Sequence, residues 1–412
     1  MRPIRHLRPV TAAALAGLAV AACGGGGGGT PSSASSEAAA TLVVGNLQSL
    51  TGPLSAVGVP ASGSLKVAAD DINKAGGFSV AGKHYTIKVV DVDTTSQPQQ
   101  TATGATQLLR DDGAKFIFGP SETITATAAQ PVVTRGGALF FSTAYAMSDG
   151  LEKNGTSALP WKNTFAAGLG NDTSLDGTIT AVMQAHPEIK TAVSLWPSLA
   201  SQDVSANTVK DSFAKHGVTT TIERYDISAK DYTPLLTRIK ALHPDIVFAG
   251  PSAGPLTIMA KQMVDLGNVT TYFFGSGAQA SLALKDAIGR PLPFDFMYNT
   301  PGAVDPNTKD PKVQAYLDRY TAVNGSIPAG GVGFTSFYYA PLQALVKAMQ
   351  AAGTVSDVDK IATQLTKASV APIVGTEQFG FTSDHRAKIP ISVCDVKPND
   401  SDITCTIAYP VK

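Results

Sequence analysis

From Thr41 onward, short apolar runs of β type alternate with stretches of helical periodicity, and this alternation constrains the fold more than any other feature. Most of the runs are separated by 10–20 residues, which is enough for one helix each. In 61–74, for example, Leu65, Ala68 and Ile72 fall near one helical face. The alternation is typical of a parallel sheet covered by helices. The predicted strands are 41–46, 85–93, 115–119, 138–143, 163–168, 191–196, 220–226, 245–250, 271–275 and 294–299.

Chain length predicts two domains, because about 370 ordered residues are too many for one hydrophobic core. No Pro/Gly-rich linker separates the two halves, so the connections between the domains are expected to be compact crossovers, as in a hinge. Near residue 300 the pattern changes to longer helices, predicted at 310–323, 334–352 and 356–367. The last stretch, 378–410, again has β-type runs.

Residues 1–22 have the pattern of a signal peptide: arginines, then a short apolar run that is too brief to span a bilayer. Small residues directly precede Cys23, which resembles a bacterial lipobox and predicts a lipid on that cysteine. An ordinary cleavage site followed by a chance cysteine is the alternative. Residues 23–40 are rich in glycine and small polar residues and are predicted to be a flexible linker.

The charge balance disfavours nucleic acid as a partner. Residues 1–22 contain three of the 32 basic residues and none of the 32 acidic ones, so the remaining chain is weakly negative. It has no basic stripe or cluster. No later apolar run reaches the roughly 18 residues of a membrane span. We therefore expect an extracytoplasmic protein that is lipid-anchored to the cell membrane through Cys23.

Once Cys23 is lipidated, Cys394 and Cys405 are the remaining cysteines. A turn-rich segment, 397–402, separates them and is flanked by β-type runs. A hairpin would bring the two thiols together, and an oxidising compartment would allow a disulfide. Two thiols without a neighbouring histidine make a metal site an unfavourable interpretation.

Several motifs in 42–120 are specific enough to indicate a family. They are Leu50 to Leu54 with Gly58, Gly63, Ala69 to Asn73 with Gly76 and Gly77, Gly82, Val90 to Asp93, Leu108 and Leu109, Asp112 and Gly113, and Phe116 to Pro120. This part of the chain resembles the branched-chain amino-acid-binding proteins of ABC transporters, which have the type I periplasmic-binding fold. The resemblance continues more loosely to about residue 300.

The resemblance implies an α/β fold of two doubly wound parallel-sheet lobes joined by three hinge crossovers. Lobe I would comprise 41–166 plus 300–377, and lobe II would comprise 167–299 plus 378–412. Ligands of such lobes bind at the carboxyl ends of the strands, and hinge closure buries them. The crossovers would lie near Phe165 and Ala166, Tyr298 and Asn299, and Glu377 and Gln378.

In lobe I, Ser121, Glu122 and Thr123 lie between a predicted strand and a predicted helix. A helix N-terminus favours an anion, and the family holds the ligand carboxylate at this place. Plain helix capping by Ser121 or Thr123 is the alternative. The next strand ends at Ser142 to Tyr145, where Ser142, Ala144 and Tyr145 are further ligand candidates.

In lobe II the candidates are Trp196, Ser252, Ser276 and Gly277 at three strand ends. Amino-acid binders of the family place a carboxylate near Gly277 to pair the ligand ammonium, and this chain has glycine and serine there. A buried ammonium without an anionic partner is costly. A carboxylate or neutral molecule with an apolar or aromatic body therefore fits at least as well, unless Glu122 or Asp203 substitutes.

An enzyme reading rests on residues 250–254, which match G-x-S-x-G with Ser252 as nucleophile. Asp265, Asp286 or Asp295, followed by His385, would complete the order of a triad. No HGGG-type loop accompanies them, and His385 lies in a turn-like segment expected to be solvated. The chain also has no metal-binding histidine spacing and no phosphate loop. We expect no catalysis, cofactor or metal, and a serine hydrolase is the remote alternative.

The leading functional expectation is the substrate-binding component of an ABC importer. Its partners would be a small-molecule ligand, a membrane permease and an ATPase, and the protein would be monomeric. A lipoprotein sensor that presents the bound ligand to a membrane receptor is the second hypothesis.

Overall fold

The computed structural model describes residues 39–158, 160–250, 253–267, 269–275, 292–301, 310–327, 336–374, 377–397 and 403–408. The predicted signal peptide, Cys23 and all but the end of the linker lie outside these residues. So do three of the predicted ligand contacts, Ser252, Ser276 and Gly277.

The first sheet is built from the N-terminal part of the chain and has the strand order β2-β3-β1-β4-β5-β6. All neighbouring pairs are parallel except the short β2 beside β3. The central strands β4 and β5 are buried along their whole length, as continuous apolar runs covered on both faces must be. The strands are β1 (Ala40–Gln48), β2 (Phe78–Val80), β3 (Lys83–Asp93), β4 (Phe116–Phe118), β5 (Leu139–Ser142) and β6 (Thr164–Ala166).

The second sheet has the order β15-β14-β11-β10-β9-β7-β8, with a parallel core and an antiparallel pair, β14 and β15, added at one edge. A separate two-stranded sheet is formed by β12 and β13. The strands are β7 (Thr191–Pro197), β8 (Thr219–Tyr225), β9 (Ile246–Ala249), β10 (Tyr272–Gly275), β11 (Asp295–Pro301), β12 (Ser369–Val370), β13 (Phe379–Gly380), β14 (Ile391–Val396) and β15 (Ile403–Ala408).

The helices are α1 (Ser55–Lys74), α2 (Pro98–Arg110), α3 (Thr123–Arg135), α4 (Tyr145–Asn154), α5 (Asn171–Ala185), α6 (Asp203–Lys215), α7 (Thr233–Ala241), α8 (Ala253–Leu266), α9 (Pro311–Asn324), α10 (Tyr339–Ala352) and α11 (Val358–Leu365). Within the described part of the chain, no helix combines the length and apolarity needed to cross a membrane.

Helices α9 and α10 pack on α1 of the first sheet. Asp71 of α1 accepts hydrogen bonds from Arg319 Nε of α9, at 3.1 Å, and from the Tyr339 hydroxyl of α10, at 2.7 Å. The Tyr320 hydroxyl donates to the Pro60 carbonyl at 3.2 Å. Helices α9 and α10 therefore belong with the first sheet.

The predicted α/β class and the two parallel sheets are confirmed. The chain passes between the sheets three times: after β6, after β11 and before β14. At the last passage the backbone pairs with β6, because the Ala166 amide donates to the His385 carbonyl at 3.0 Å and the Ala387 amide donates to the Ala166 carbonyl at 2.8 Å. The exact lobe boundaries stay a prediction.

Candidate ligand-binding site

The strand order of the first sheet identifies the edge at which a ligand is expected. From β1 the chain crosses to β3 on one side, and it later crosses back to β4 on the other, so the winding direction changes between β1 and β4. Ligands of open α/β sheets bind in the crevice at such a switch point, outside the carboxyl ends of the strands. The loops that meet there follow β1 at Ser49 and β4 at Gly119.

The backbone conformation at position 119 requires glycine. Its φ angle is +88°, a conformation that side-chain-bearing residues rarely adopt. A Cβ atom there would also lie 2.2 Å from the Leu47 carbonyl oxygen and 2.2 Å from Gln48 Nε2. The loop after β4 therefore passes directly over the end of β1, which brings Ser121 and Glu122 beside Gln48 and Ser49.

The Ser121 hydroxyl, predicted to hold a ligand carboxylate, is buried and already has partners in the protein. It donates to Gln48 Oε1 at 3.2 Å and lies 3.2 Å from the Tyr338 hydroxyl. That same Tyr338 oxygen accepts the Thr143 amide at 3.3 Å. In this structure the Tyr338 phenol thus occupies the space between the Ser121 hydroxyl and the Thr143 amide.

Glu122 precedes α3 and is its N-cap residue by position. Its Oε2 accepts hydrogen bonds from Thr125 at 3.0 Å and from Ser49 at 3.2 Å. Its Oε1 is shielded from solvent. Burial raises the pKa of the Glu122 carboxyl above its ordinary value, although hydrogen bonds from the Thr125 and Ser49 hydroxyls and from the Glu122 and Ser121 backbone amides act in the opposite direction. The neighbouring Thr123 is exposed.

Of the candidates after β5, Ser142 holds the loops together. Its buried hydroxyl donates to the Pro120 carbonyl and accepts the Ala144 amide at 3.2 Å. Ala144 is buried just before α4, whereas Tyr145, the first residue of that helix, is 44% exposed. Among these three residues, Tyr145 alone presents a large side chain to solvent.

On the second sheet, the Trp196 side chain lies in the core and is only 2% exposed. Its indole N–H donates to the Ser194 hydroxyl at 2.8 Å, and its ring lies beneath Gly250, where an added Cβ would come within 2.3 Å. The ring of Trp196, predicted as a ligand contact, therefore faces the core, and its ligand role stays a prediction. Leu199 and Val204, just beyond it, are 47% and 62% exposed.

His385, the proposed triad base, was expected in a solvated turn, and that expectation is wrong. The imidazole is buried and stacks on Phe165 with ring centroids 3.9 Å apart. Its Nδ1 lies 3.0 Å from the Thr164 carbonyl oxygen, so that nitrogen donates. Burial lowers the pKa of His385. The residue therefore anchors the last crossover to β6.

Cys394 and Cys405 lie directly opposite each other on β14 and β15, and their sulfur atoms are bonded. The two strands of the predicted hairpin are antiparallel neighbours, with the two cysteines in register. The pair closes the outer edge of the second sheet.

Sequence reasoning missed Gln48, Ser49, Thr125 and Tyr338 as members of this polar cluster. Ser49 and Gln48 follow the β1 run that was predicted correctly, so their strand-end position was an available signal. Tyr338 comes from a distant part of the chain, and nothing in its local sequence points to the cluster.

The sequence model of the family described as periplasmic binding protein matches residues 41–402. The Leu/Ile/Val-binding protein BraC3 of Rhizobium johnstonii is 26% identical over 348 residues, which cover 83% of this chain and 88% of that protein. The Leu/Ile/Val-binding protein homolog 3 of Brucella melitensis is 26% identical over 349 residues, with the same two coverages.

Solved structures have the same fold. The branched-chain amino-acid transporter substrate-binding protein LivJ of Streptococcus pneumoniae, in complex with isoleucine, has a TM-score of 0.67 at 19% identity and covers 90% of this chain and 100% of that one. A solute-binding protein of Rhodopseudomonas palustris, in complex with 3,4-dihydroxybenzoic acid, has a TM-score of 0.66 at 19% identity, with coverages of 90% and 98%. The family match over nearly the whole chain is decisive: the protein belongs to the periplasmic binding protein family, which includes the Leu/Ile/Val-binding proteins.

Proposed function

We propose that this protein is the extracytoplasmic solute-binding component of an ABC importer. It captures a small organic molecule, an amino acid or a carboxylate with an apolar or aromatic body, between its two lobes. The observation that carries the proposal is the polar cluster around Ser49, Ser121, Glu122 and Thr143 at the switch point of the first sheet. This is the edge at which open α/β sheets bind ligands.

An apolar ligand body is supported by the side chains around the same edges. Ile124, in the first turn of α3, and Tyr145, the first residue of α4, are 58% and 44% exposed. Leu199 and Val204 follow β7 on the second sheet. Large apolar side chains exposed beside a polar cluster are the usual composition of a small-molecule site. Isoleucine and 3,4-dihydroxybenzoic acid, the ligands in two structures of the same fold, each combine a carboxyl group with an apolar or aromatic body.

We further propose that the protein works outside the cytoplasm as a lipoprotein held to the membrane through Cys23, with a permease and an ATPase as partners. The small residues before Cys23 and the disulfide between Cys394 and Cys405 both suit an exported chain. No chemistry on the ligand is proposed. The buried His385, stacked on Phe165 of the first sheet, anchors a crossover through its hydrogen bond to the Thr164 carbonyl.

Substitution of both hydroxyl residues at the start of α3 tests the ligand edge. We expect Ser121→Ala combined with Thr123→Ala to weaken binding at least tenfold. Thr123 is exposed at this edge, and the Ser121 hydroxyl would exchange its hydrogen bond to Gln48 for one to the ligand. Each hydrogen bond to a charged ligand group contributes about 1.5–3 kcal/mol. A thermal-shift screen of amino acids and of aliphatic and aromatic carboxylates identifies the ligand, and calorimetry then measures its affinity for the variant.

Thr127→Ala is the matched control. This residue is exposed on the same helix, and its hydroxyl donates to the Thr123 carbonyl of that helix at 2.9 Å. It should leave the affinity unchanged. An unaltered affinity in the double variant would place the ligand at another edge of the fold.

A further inference from the structure

We propose that a cavity between α1 and α9 is a second binding site, which takes a neutral molecule rich in hydroxyl groups, of the size of a monosaccharide. The cavity has a volume of about 270 Å³ and lies between α1, the end of α9 and Leu50 of the loop after β1. Its described lining residues include none of the polar cluster around Ser49, Ser121, Glu122 and Thr143. The inference therefore goes beyond the proposed function.

The α1 wall of the cavity donates hydrogen bonds. Val59, Ser62 and Lys66 are three and four residues apart and lie on one face of the helix. Ser62 is 2% exposed, and its hydroxyl oxygen accepts the Asn46 side-chain amide at 2.7 Å. The Ser62 hydrogen is left to donate, and among the described residues none accepts it. The Lys66 ammonium pairs with Asp91 at 2.6 Å and has further hydrogens to donate.

The α9 wall accepts hydrogen bonds. Asn324 Nδ2 donates to the Gly63 carbonyl at 3.3 Å and to the Tyr320 carbonyl at 3.0 Å. Because both partners are carbonyls, the orientation of the amide is defined and its Oδ1 is left to accept. Ser326, just beyond the helix, is exposed and adds a hydroxyl to the same wall. Tyr320 is fully buried behind this wall, and a side chain at Gly63 would collide with its hydroxyl.

The charges around the cavity balance each other. Lys66 is neutralised by Asp91, and the two side chains are 36% and 35% exposed. The last turn of α9, which ends at Asn324, carries partial negative charge that opposes an anionic ligand. The Lys66 ammonium opposes a cationic one. A neutral ligand avoids both penalties.

Hydroxyl groups suit both walls, because each one can accept from Ser62 or Lys66 and can donate to Asn324. Val59, which is 39% exposed, and Leu50 give the cavity an apolar side on which the C–H groups of a sugar ring can pack. The volume lies just below the roughly 300 Å³ at which pockets for drug-sized ligands begin. These three features together indicate a monosaccharide or another small cyclic polyol.

Saturation-transfer NMR on the purified full-length protein tests the site with two series of matched sugars at millimolar concentration. The series are D-glucose, D-glucuronate and D-glucosamine, and D-galactose, D-galacturonate and D-galactosamine. Within each series the ring is kept, and the second and third members carry a negative and a positive charge. We expect the neutral member of the better-binding series to bind at least tenfold more tightly than its two charged counterparts.

Val59→Trp places a large ring at the rim of the cavity and should weaken binding of the neutral sugar at least tenfold. Ser62→Ala removes a donor and should also weaken it. Leu242→Trp is the matched control, because Leu242 is an apolar residue at the end of α7, 45% exposed and not part of the cavity lining. It should bind the sugar as the wild type does.

The wild-type comparison of neutral and charged sugars tests the proposal even if a variant folds poorly. Absence of binding by both neutral sugars, or equal binding of a charged counterpart, would overturn the proposal. Unchanged binding in Val59→Trp or in Ser62→Ala would place the sugar elsewhere and would overturn it as well. Each of these results would leave the proposed function standing, since that function rests on other residues.

Discussion

Tyr338 shows at the scale of one residue how a distant segment completes the polar cluster. Its side chain is fully buried, its ring packs edge-on against Phe118 at 5.6 Å, and its hydroxyl lies within 3.5 Å of three polar atoms of Ser121 and Thr143. Two loops of the first sheet and the start of α10 are thereby joined through a single oxygen. Burial raises the pKa of this phenol, so it stays protonated and remains able to donate.

Tyr338→Phe is expected to lower the free energy of unfolding by about 1–3 kcal/mol, because the buried Thr143 amide loses its acceptor. Chemical denaturation measures this loss. In a double-mutant cycle with Ser121→Ala, the double variant should lose less stability than the sum of the two single losses, since both substitutions remove parts of one network. Full additivity would mean that the two hydroxyls act independently.

The buried positions of two side chains share one physical cause. Trp196 lies near the end of β7 and His385 lies in a polar turn, where neighbours in sequence give no sign of burial. The rings are buried because Gly250 admits the indole and Phe165 stacks on the imidazole. These contacts join segments more than 50 residues apart, so no local pattern contains them.

At the scale of elements, the parallel strands of both sheets were predictable because they are β-type runs between turns, whereas the short antiparallel β2 was not predicted. β7, for example, was predicted at 191–196 and spans Thr191–Pro197. Helix ends were harder to predict from the sequence. α1 begins at Ser55 rather than at 61 and continues through Pro60. α4 lies in the gap between the strands predicted at 138–143 and 163–168, for which no helix bounds were predicted.

One contact between elements is sensitive to pH. His186, at the end of α5, lies 3.3 Å from Asp395 of β14 and 3.1 Å from Glu188. Burial of the imidazole opposes its charge, but the hydrogen bonds to these two carboxylates outweigh burial and raise the pKa of His186. Lys397 also pairs with Asp395, at 2.8 Å, and Tyr272 donates to Glu188 at 2.6 Å.

The pKa of His186 is raised on folding. The charged imidazole therefore stabilises the fold fully at pH values below the ordinary histidine pKa of about 6.5, and this stabilisation is lost as the pH rises through the pKa of His186 in the folded protein. We expect the melting temperature to fall over this range, and His186→Asn to flatten the fall. His243→Asn, at an exposed histidine, is the control and should reproduce the wild-type profile. An unchanged slope in His186→Asn would show that the imidazole does not carry the dependence.

At the scale of the whole molecule, the two sheets are covalently linked three times, and their packing determines whether they unfold together. The last crossover is fixed to β6 by backbone hydrogen bonds and by His385, which stacks on Phe165. Multidomain proteins often unfold in separate steps, and a ligand that touches both domains couples those steps. Ligand binding therefore reports on whether both lobes contribute to the site.

A ligand held by both lobes should raise the unfolding temperature of the entire protein as one transition. At a ligand concentration 100 times Kd, binding adds about 2.7 kcal/mol to the free energy of unfolding. For a protein of this size that corresponds to a shift of a few degrees. Differential scanning calorimetry with and without the ligand from the screen measures it, and the size of the shift should grow with the logarithm of the ligand concentration. If two transitions were seen and the ligand moved only one of them, the ligand would be bound by a single lobe, and capture between two lobes would be excluded.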